Sequence, residues 1–389
     1  MDNFFLPLMN NNIEKDDIQS LIEFLSHSEI PKLTNGPKVV EFEKAWGDWL
    51  GTKYNLFVNS GASANELTML ALTHLFGEGE IIVPPLTWIS DISSVIFAGH
   101  DLVFVDINFE NLSFDIEKLK KAITPKTKAI FLTHVLGING LTDEILKLCQ
   151  DRNTKLIEDV CESHGTTFKN IKVGNFGYAS NFSFYFAHHM STIEGGMIST
   201  NDWEFYQICR SLRSHGMNRE LTCDIMKQKN ISDNPDLNPD FIFLRPAHNF
   251  RSTELNAVLG ISQLKKLDEK NEQRKNNFDY FISRLNSEKY ITSLNIDGQC
   301  NYAFIVIMKN PDINKRNEIE NKLKSYKIEF RRGLSGGGNQ MRQPFFKKEN
   351  FDFDNFKNIE HVHNHSWYIG NYPGLAIEKI DRLLEILNG

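Results

Sequence analysis

The sequence lacks any apolar run of the roughly 20 residues that a membrane-spanning helix needs, and its N-terminus lacks a basic segment followed by an apolar one. We therefore expect a cytoplasmic protein with no membrane partner. The sequence also lacks an excess of positive charge, because 43 Lys and Arg residues stand against 50 Asp and Glu residues. The net charge of -7 does not favour binding to a polyanion, so nucleic acid is not an expected partner.

Cysteine is scarce, and the five cysteines form no C-x-C or C-x-x-C pair: Cys149, Cys161, Cys209, Cys223 and Cys300. This spacing predicts free thiols and no metal cluster. Hydrophobic residues make up 41% of the chain and charged residues 24%, as in ordinary globular proteins, so disorder is not expected. The length of 389 residues suits two or three domains.

The stretch from Tyr54 to about Thr200 alternates short apolar runs with amphipathic segments. The apolar runs are rich in Val, Ile and Phe, as strands are: YNLFVNS, EIIVPP, DLVFVDI, AIFLTHV, KLIEDV, NFSFYF and GGMIST. The segments between them carry the spacing of helices. This alternation predicts an α/β fold, with a mostly parallel sheet covered by helices on both faces.

A long periodic segment without proline begins at Ser252 and predicts a helix that connects two domains. After it, strand and helix patterns and a Gly-rich loop at 333–338 indicate a smaller α/β domain. We therefore predict a large domain with an N-terminal segment over residues 1–255, followed by the linking helix and a small C-terminal domain over 256–389.

Polar residues that follow the predicted strands are candidates for a ligand site, because ligands of open α/β sheets bind beyond the carboxyl ends of the strands. Gly61, Ala62 and Ser63 lie between a predicted strand and a predicted helix, where backbone amides suit a phosphate. A simple tight turn is the alternative. Trp88 follows the next strand, and its ring suits stacking on a planar ligand or packing in the core.

Asp159 directly follows the strand-like run KLIE, and an acid buried at that point requires a cationic partner. A cap for the next helix is an equally open interpretation. His188 and His189 are adjacent in the segment between two predicted strands. Neighbouring side chains in an extended segment point in opposite directions, so a metal site shared by these two histidines is not favoured.

The order and spacing of these motifs resemble the fold-type I pyridoxal phosphate (PLP) enzymes, specifically the sugar-nucleotide aminotransferase and dehydratase family. Asp159 matches the strand-end Asp that binds the pyridinium nitrogen, and the segment from Ser183 to Gly196 matches S-F-x-x-x-K-x-x-x-x-x-E-G-G. Further matches are Asn35-Gly36-Pro37 with Glu41-Phe42-Glu43, Arg213-Ser214-His215-Gly216 and Asn249-Phe250-Arg251. The resemblance implies an aspartate-aminotransferase-like fold, with a large mixed-sheet domain and a smaller C-terminal α/β domain, in a homodimer.

The chain departs from the family motif at one position, where His188 replaces the Schiff-base lysine. Imidazole has no primary amine, and no lysine occurs between Lys172 and Lys227 to substitute for it. PLP, or its amine form pyridoxamine phosphate (PMP), is therefore expected to bind without a covalent link. Histidine at this position resembles a minority branch of the family, the sugar 3-dehydratases, and the lack of C-x-C resembles members of that branch without an iron–sulfur cluster.

This resemblance implies removal of the C3 hydroxyl from a GDP-linked 4-keto-6-deoxymannose, with release of a 3-deoxy-4-keto sugar and ammonia. L-glutamate is implied as the amino donor that regenerates PMP. His188 is expected to transfer the proton at the C4′ carbon of the cofactor, because neutral imidazole suits proton transfer near pH 7. Asp159 is expected to hold the ring nitrogen protonated.

The resemblance also assigns the binding residues. Trp88 is expected to stack on the pyridine ring, and Glu162 occupies the place near the ring hydroxyl where many relatives have Gln. The cofactor phosphate is expected to bind at the Gly61 turn, to the backbone amides of Ala62 and Ser63. The Ser183 hydroxyl and Asn249 from the partner subunit are expected to bind it as well.

The sequence identifies substrate-binding residues less specifically than cofactor-binding residues. His215 is expected near the sugar, with a place in the core as the alternative. Arg331, Arg332 and Arg342 flank the Gly-rich loop, and they are expected either to bind the diphosphate or the donor carboxylate, or to be solvated. Two other functions remain open: a PLP-dependent sugar-nucleotide 4-aminotransferase, and a homologue that binds the cofactor without turnover.

Overall fold

The computed structural model describes residues 4–26, 29 and 32–389. Its strands are, in chain order, β1 (Tyr54–Val58), β2 (Glu80–Val83), β3 (Asp101–Phe104), β4 (Thr127–Thr133), β5 (Lys155–Asp159), β6 (Thr167–Phe168), β7 (Ile171–Lys172), β8 (Ala179–Ser183), β9 (Gly196–Thr200), β10 (Ala303–Ile307), β11 (Phe330–Arg332) and β12 (Ser366–Gly370). Its α-helices are α1 (Lys15–Leu25), α2 (Pro37–Leu50), α3 (Gly61–Phe76), α4 (Ile89–Phe97), α5 (Ile116–Ala122), α6 (Asp143–Arg152), α7 (Trp203–Arg213), α8 (Asp224–Ser232), α9 (Glu254–Leu264), α10 (Leu267–Ile282), α11 (Ile313–Ser325), α12 (Lys357–His365) and α13 (Ile377–Asn388).

A seven-stranded mixed sheet has the order β1-β9-β8-β5-β4-β2-β3. Its neighbours pair in parallel except around β9, which is antiparallel to both β1 and β8. The seven apolar runs of the sequence correspond to these seven strands, so the predicted α/β fold with a mixed sheet is confirmed. The other six strands of this sheet run in one direction, and their carboxyl ends therefore meet at one edge.

The C-terminal part contains a three-stranded antiparallel sheet of order β10-β12-β11. A hydrophobic core lies under this sheet and includes Phe304, Trp367 and Leu383. It also takes in Leu6 and Leu86 from earlier in the chain. The domain boundary between residues 255 and 256 falls in the first turn of α9 and stays a prediction.

The predicted long helix from Ser252 is two helices, because the chain turns at residues 265–266 between α9 and α10. At this turn the ammonium of Lys266 contacts three acids at the start of α1: Glu14, Asp16 and Asp17. Leu267 is fully buried directly after it. Contacts with the distant N-terminal helix therefore accompany the break, and the local helical periodicity does not reveal them.

None of the described helices is long and apolar enough to cross a membrane. All five cysteines are free thiols.

A buried ion pair joins α2, α7 and β1. The guanidinium of Arg213 contacts the Glu43 carboxylate at 2.6 Å and donates to the carbonyl oxygen of Phe57 at 3.0 Å. The same Glu43 oxygen accepts the Phe57 amide at 2.9 Å. Because both side chains are almost inaccessible to solvent, loss of one partner leaves an uncompensated charge in the core.

Glu43→Ala is expected to lower the free energy of unfolding by about 3–5 kcal/mol, because Arg213 would stay buried without its carboxylate. Glu41→Ala is the matched control on the same helix, since Glu41 forms an exposed pair with Lys38. The control is expected to cost at most about 1 kcal/mol. Denaturant unfolding of the cofactor-free protein measures both, and equal losses would contradict this account of the buried pair.

Candidate active site

The carboxyl edge of the mixed sheet brings together the N-terminus of α3 and the end of β8. A Cβ atom placed on Gly61 would lie 2.5 Å from Ser183 Cβ and 3.2 Å from Cys161 Sγ, so only glycine fits there. The Ser60 hydroxyl caps α3 by accepting the Ser63 amide at 3.0 Å. The first amides of a helix have no intrahelical acceptor, and those of Gly61 and Ala62 therefore remain suited to an anion beside the Ser183 hydroxyl. The Ser63 amide, which the sequence also assigned to a phosphate, already donates to the Ser60 hydroxyl.

Asp159 ends β5 at the centre of this edge, where it is 3% exposed. Its Oδ1 accepts the Cys161 amide at 2.8 Å, which orients the carboxylate. In the paired strands Asp159 lies opposite Thr133 of β4. A carboxylate at this place suits the protonated nitrogen of an aromatic ring, whereas no helix follows it directly, so its predicted role as a helix cap does not apply.

His188 is held against the end of β8. Its Nδ1 donates to the carbonyl oxygen of Ser183 at 3.1 Å, because a carbonyl oxygen can only accept. Asn12 donates to the backbone oxygen of His188 and fixes this segment from the N-terminal side. Burial lowers the pKa of His188 to about 4, and the nearby charge of Asp159 opposes that shift. The imidazole is therefore neutral at pH 7, with the free lone pair on Nε2.

The adjacent His189 points elsewhere, as the alternation of side chains predicts. Its Nε2 donates to the carbonyl oxygen of Cys300 at 2.9 Å, and its ring stacks on His164 with centroids 5.4 Å apart. Burial lowers the pKa of both His164 and His189. In the described residues these two rings belong to the packed interior beneath His188.

Glu162 occupies the next part of the edge. Its carboxyl accepts the Leu136 amide and the Ser335 hydroxyl, each at 3.2 Å. Burial raises the pKa of Glu162 to about 7, and the charge of Asp159 adds to the effect. Near neutral pH this carboxyl can therefore either donate or accept a hydrogen bond, whereas the Gln of many relatives cannot change its proton content.

Trp88 precedes α4 and is 55% exposed, so its indole is not part of the core. This exposure leaves its face accessible to a planar ligand and disfavours the core interpretation of the sequence. Stacking itself stays a prediction.

His215 and Asn249 lie apart from His188, in neighbouring segments that the Ser214–Asn249 bridge joins. Asn249 is exposed, and its side chain accepts the Arg251 amide at 3.1 Å. His215 lines an open groove of about 690 Å³ together with Met217 and Phe243. Asn249 was predicted to contact the cofactor phosphate of a partner subunit, and His215 was predicted to lie near the sugar. Both roles need a second chain or a ligand, so they stay predictions.

The two arginines of β11 point to opposite sides of the small sheet. Arg331 pairs in register with Tyr368, and Arg332 pairs with Trp367. Arg332 forms a bidentate ion pair with Glu320 at 2.6 Å, and Arg342 forms a similar pair with Glu360. Arg331 contacts Glu329 at 3.2 Å and is half exposed, which leaves it the most available of the three for an anion.

Sequence analysis missed two side chains of this region. The phenol ring of Tyr302, just before β10, lies 5.8 Å from the His188 ring and 6.3 Å from that of Tyr368. Asp91, three residues after Trp88, is fully buried in the first turn of α4. Asp91 lies three residues after Trp88, in the segment 87–91, and its nearness to a candidate ligand-binding residue could have drawn attention to it. Tyr302 is distant in sequence from every motif, so only the fold reveals it.

Comparison with known proteins identifies the family of the chain. The model of the DegT/DnrJ/EryC1/StrS aminotransferase family matches residues 11–388. The chain belongs to this family. Membership confirms the resemblance seen in the motifs, and the aspartate-aminotransferase-like fold with it.

Members of the DegT/DnrJ/EryC1/StrS family resemble the chain over nearly its whole length. GDP-4-keto-6-deoxy-D-mannose 3-dehydratase of Escherichia coli O55:H7 is 33% identical over 386 residues, which cover 97% of each protein. A GDP-4-keto-6-deoxymannose-3-dehydratase solved with a trapped PLP-glutamate geminal diamine has a TM-score of 0.87 and 30% identity, covering 98% of this chain and 100% of that one. A histidine-to-asparagine variant of such an enzyme, solved with bound GDP-perosamine, has a TM-score of 0.83 at 30% identity and the same coverage.

The raised pKa of Glu162 predicts a pH-dependent stability. Folding raises this pKa from 4.5 to about 7, so the folded protein retains a proton that the unfolded chain loses, and stability falls as pH rises through that window. Glu162→Gln has no such proton. Relative to wild type, this variant is expected to gain about 2–3 kcal/mol between pH 4 and pH 8.

Denaturant unfolding of the cofactor-free protein at several pH values tests this expectation. Glu110→Gln is the matched control, because Glu110 is exposed, and it should show no comparable trend. A flat difference between Glu162→Gln and wild type would mean that Glu162 ionises normally in the folded protein.

Proposed function

We propose that this chain is a PLP-dependent 3-dehydratase that removes the C3 hydroxyl from GDP-4-keto-6-deoxymannose. The observation that carries the proposal is His188, which stands at the Schiff-base lysine position and is hydrogen-bonded to the strand end that bears Ser183. The full-length likeness to a GDP-4-keto-6-deoxy-D-mannose 3-dehydratase supports the same substrate. The expected products are a 3-deoxy-4-keto sugar and ammonia.

The residues at the carboxyl edge fit PLP. The close approach of Gly61 to Ser183 forms a cradle that a Cβ would fill, and this cradle suits the phosphate. The Asp159 carboxylate suits the protonated ring nitrogen, Trp88 suits stacking on the ring, and Glu162 suits a hydrogen bond to the ring hydroxyl. When bound, PMP would supply the amine for the sugar ketone, and the pyridinium ring would supply an electron sink for the charge that develops on proton loss.

His188 supplies the base. Its Nδ1–H is committed to the Ser183 carbonyl oxygen, so Nε2 is the atom that can take up a proton. Burial keeps the ring neutral before it acts. The same Nε2 can then return the proton to the departing C3 hydroxyl, since an imidazole works as a base and afterwards as an acid.

Histidine also decides the outcome of the reaction. A lysine amine at this position would compete for the carbonyl carbon of the cofactor and so favour transfer of the amino group to the sugar. Imidazole cannot, and no lysine lies between Lys172 and Lys227. The favoured outcome of the reaction is therefore loss of the C3 hydroxyl, followed by hydrolysis that releases ammonia.

Glutamate, a homodimer and GDP recognition complete the proposal. A related dehydratase was solved with a PLP-glutamate adduct, which supports glutamate as the amino donor. The exposed position of Asn249 suits contact with the cofactor phosphate in a second subunit. For the diphosphate, Arg331 is the preferred candidate, because its contact with Glu329 is longer, at 3.2 Å, and its side chain is more exposed than those of Arg332 and Arg342, which Glu320 and Glu360 hold more closely.

The decisive test is product analysis. Wild-type protein with PLP, glutamate and GDP-4-keto-6-deoxymannose is expected to form 2-oxoglutarate, ammonia and the 3-deoxy sugar in equal amounts, without added reductase or iron. An aminotransferase would form 2-oxoglutarate and an amino sugar but no ammonia. A non-catalytic homologue would form none of them, and CDP-, UDP- and dTDP-linked 4-keto sugars test the choice of nucleotide.

Substitutions at His188 test its role. His188→Asn is expected to bind PLP but lose at least about 100-fold in 3-dehydration, because an amide is not a useful base. His188→Gln is the longer matched control and should lose activity similarly. Dehydration by His188→Asn at the wild-type rate would show that another group moves the proton.

A further inference from the structure

Asp91 is a second carboxyl at the floor of the proposed cofactor site. It lies in the first turn of α4 and is fully buried. Its Oδ1 accepts the amide of Asn65 at 2.6 Å, and its Oδ2 accepts the hydroxyls of Thr87 and, at 3.0 Å, Thr133. Every protein donor that holds this carboxyl is neutral.

Asp159 is its neighbour. Thr133, which donates to Asp91, lies directly opposite Asp159 in the paired strands β4 and β5. The fold therefore places the carboxyls of Asp91 and Asp159 next to each other at the carboxyl edge of the sheet. A hydrogen bond between two carboxyls requires a proton on one of them, since two carboxylates can only accept.

The groups that face this pair provide no compensating positive charge. They are Asn65 from α3, Thr87 from the loop after β2, Thr133 from β4 and the Cys161 thiol after β5. His188 and Glu162 also lie within reach of the Asp159 charge, but burial lowers the pKa of the imidazole to about 4, and a carboxyl brings no positive charge. Burial raises the pKa of the Cys161 thiol, which therefore stays neutral.

Other buried acids of the protein have different partners. In the described parts of the chain, Glu254 accepts three backbone amides, and five other buried acids contact a basic side chain, whereas Asp91 and Asp159 contact none: Asp17 with Lys266, Glu43 with Arg213, Asp106 with Lys118, Glu158 with His134 and Glu320 with Arg332. Two neighbouring carboxyls without a cation disfavour each other's ionisation, because each charge opposes the other in a poorly solvated site. Burial, together with the charge of Asp159, accordingly raises the pKa of Asp91 well above its usual range.

We propose that Asp91 is a protonated acid at neutral pH that donates a hydrogen bond to Asp159, so that the two carboxyls present one negative charge to the cofactor ring nitrogen. Asp91 is thus a positioning residue. Its donated hydrogen bond and that of the Cys161 amide hold the Asp159 carboxylate from two sides. One negative charge then matches the single positive charge of a pyridinium, and this part of the inference rests on the proposed PLP function.

Infrared spectroscopy of the full chain tests the protonation state directly. A buried carboxylic acid has a carbonyl stretch above the amide I band, and a carboxylate does not. Wild-type protein at pH 7 is expected to show a band there that Asp91→Asn lacks, with and without PLP. Asp101→Asn, an exposed control on β3, should keep it. Identical spectra for wild type and Asp91→Asn would overturn the proposal.

PLP affinity tests the charge count. Asp91→Asn keeps a neutral donor beside Asp159, and its dissociation constant for PLP should stay within about threefold of wild type. Asp159→Asn removes the one charge and should weaken PLP by at least about tenfold. If Asp91→Asn weakens PLP as much as Asp159→Asn does, Asp91 supplies a second charge and the proposal fails.

The acid limit of PLP binding tests the hydrogen bond. A donated hydrogen bond favours the charged form of Asp159, so Asp91→Leu should raise the pH at which half of the PLP is lost, whereas Asp91→Asn should not. A folded Leu variant with an unchanged limit would contradict the proposal. If Leu prevents folding, the Asn variant and the infrared band still decide. Wild type that binds no PLP would refute the proposed function, while the infrared band of the cofactor-free chain would still test Asp91.

Discussion

The hydrogen bond from His188 Nδ1 to the carbonyl oxygen of Ser183 links the proposed base of this site to the strand end that is proposed to bind the cofactor phosphate. It decides which imidazole nitrogen is free, and it places that nitrogen beside the carboxyl edge of the sheet. Gly61 approaches Ser183 so closely that no side chain fits between them. The same residue, Ser183, therefore positions both the proposed phosphate cradle, through its side chain, and the proposed base, through its backbone.

The electrostatics of the edge depend on burial. Burial lowers the pKa of His164, His188 and His189 and raises that of Glu162 to about 7, so the three imidazoles are neutral near pH 7 and Glu162 is only partly ionised. A site with few fixed charges makes the charge of Asp159 dominant, because screening within the edge is weak. A ring nitrogen placed there is stabilised in its protonated form, which is the form that the proposed chemistry needs.

Much of this arrangement could be predicted from the sequence because it is local. Seven apolar runs became the seven strands of the sheet, and the last residues of two of those strands, Asp159 and Ser183, met at one edge because most of the strands are parallel. His188 stood out because it interrupts an otherwise matching motif. Each inference needed only a short stretch of chain and a rule for how parallel strands align.

Features that depend on distant contacts were not predictable in this way. The break between α9 and α10 places Lys266 against acids some 250 residues earlier in the chain. Tyr302 reaches His188 from the small sheet, and Arg332 and Arg342 are neutralised by Glu320 and Glu360. Asp91 had a motif beside it, but its importance depends on its nearness to Asp159, which only the fold creates by bringing the first turn of α4 to Thr133 at the end of β4.

The central claim is that the site holds PLP without a covalent link, because imidazole replaces the amine. Borohydride treatment of the wild-type protein with one equivalent of PLP, followed by intact-mass measurement and peptide mapping, tests it most directly. The account predicts an unchanged chain mass, with all of the cofactor recovered free after denaturation. A chain heavier by one reduced cofactor, mapped to a single lysine, would contradict it.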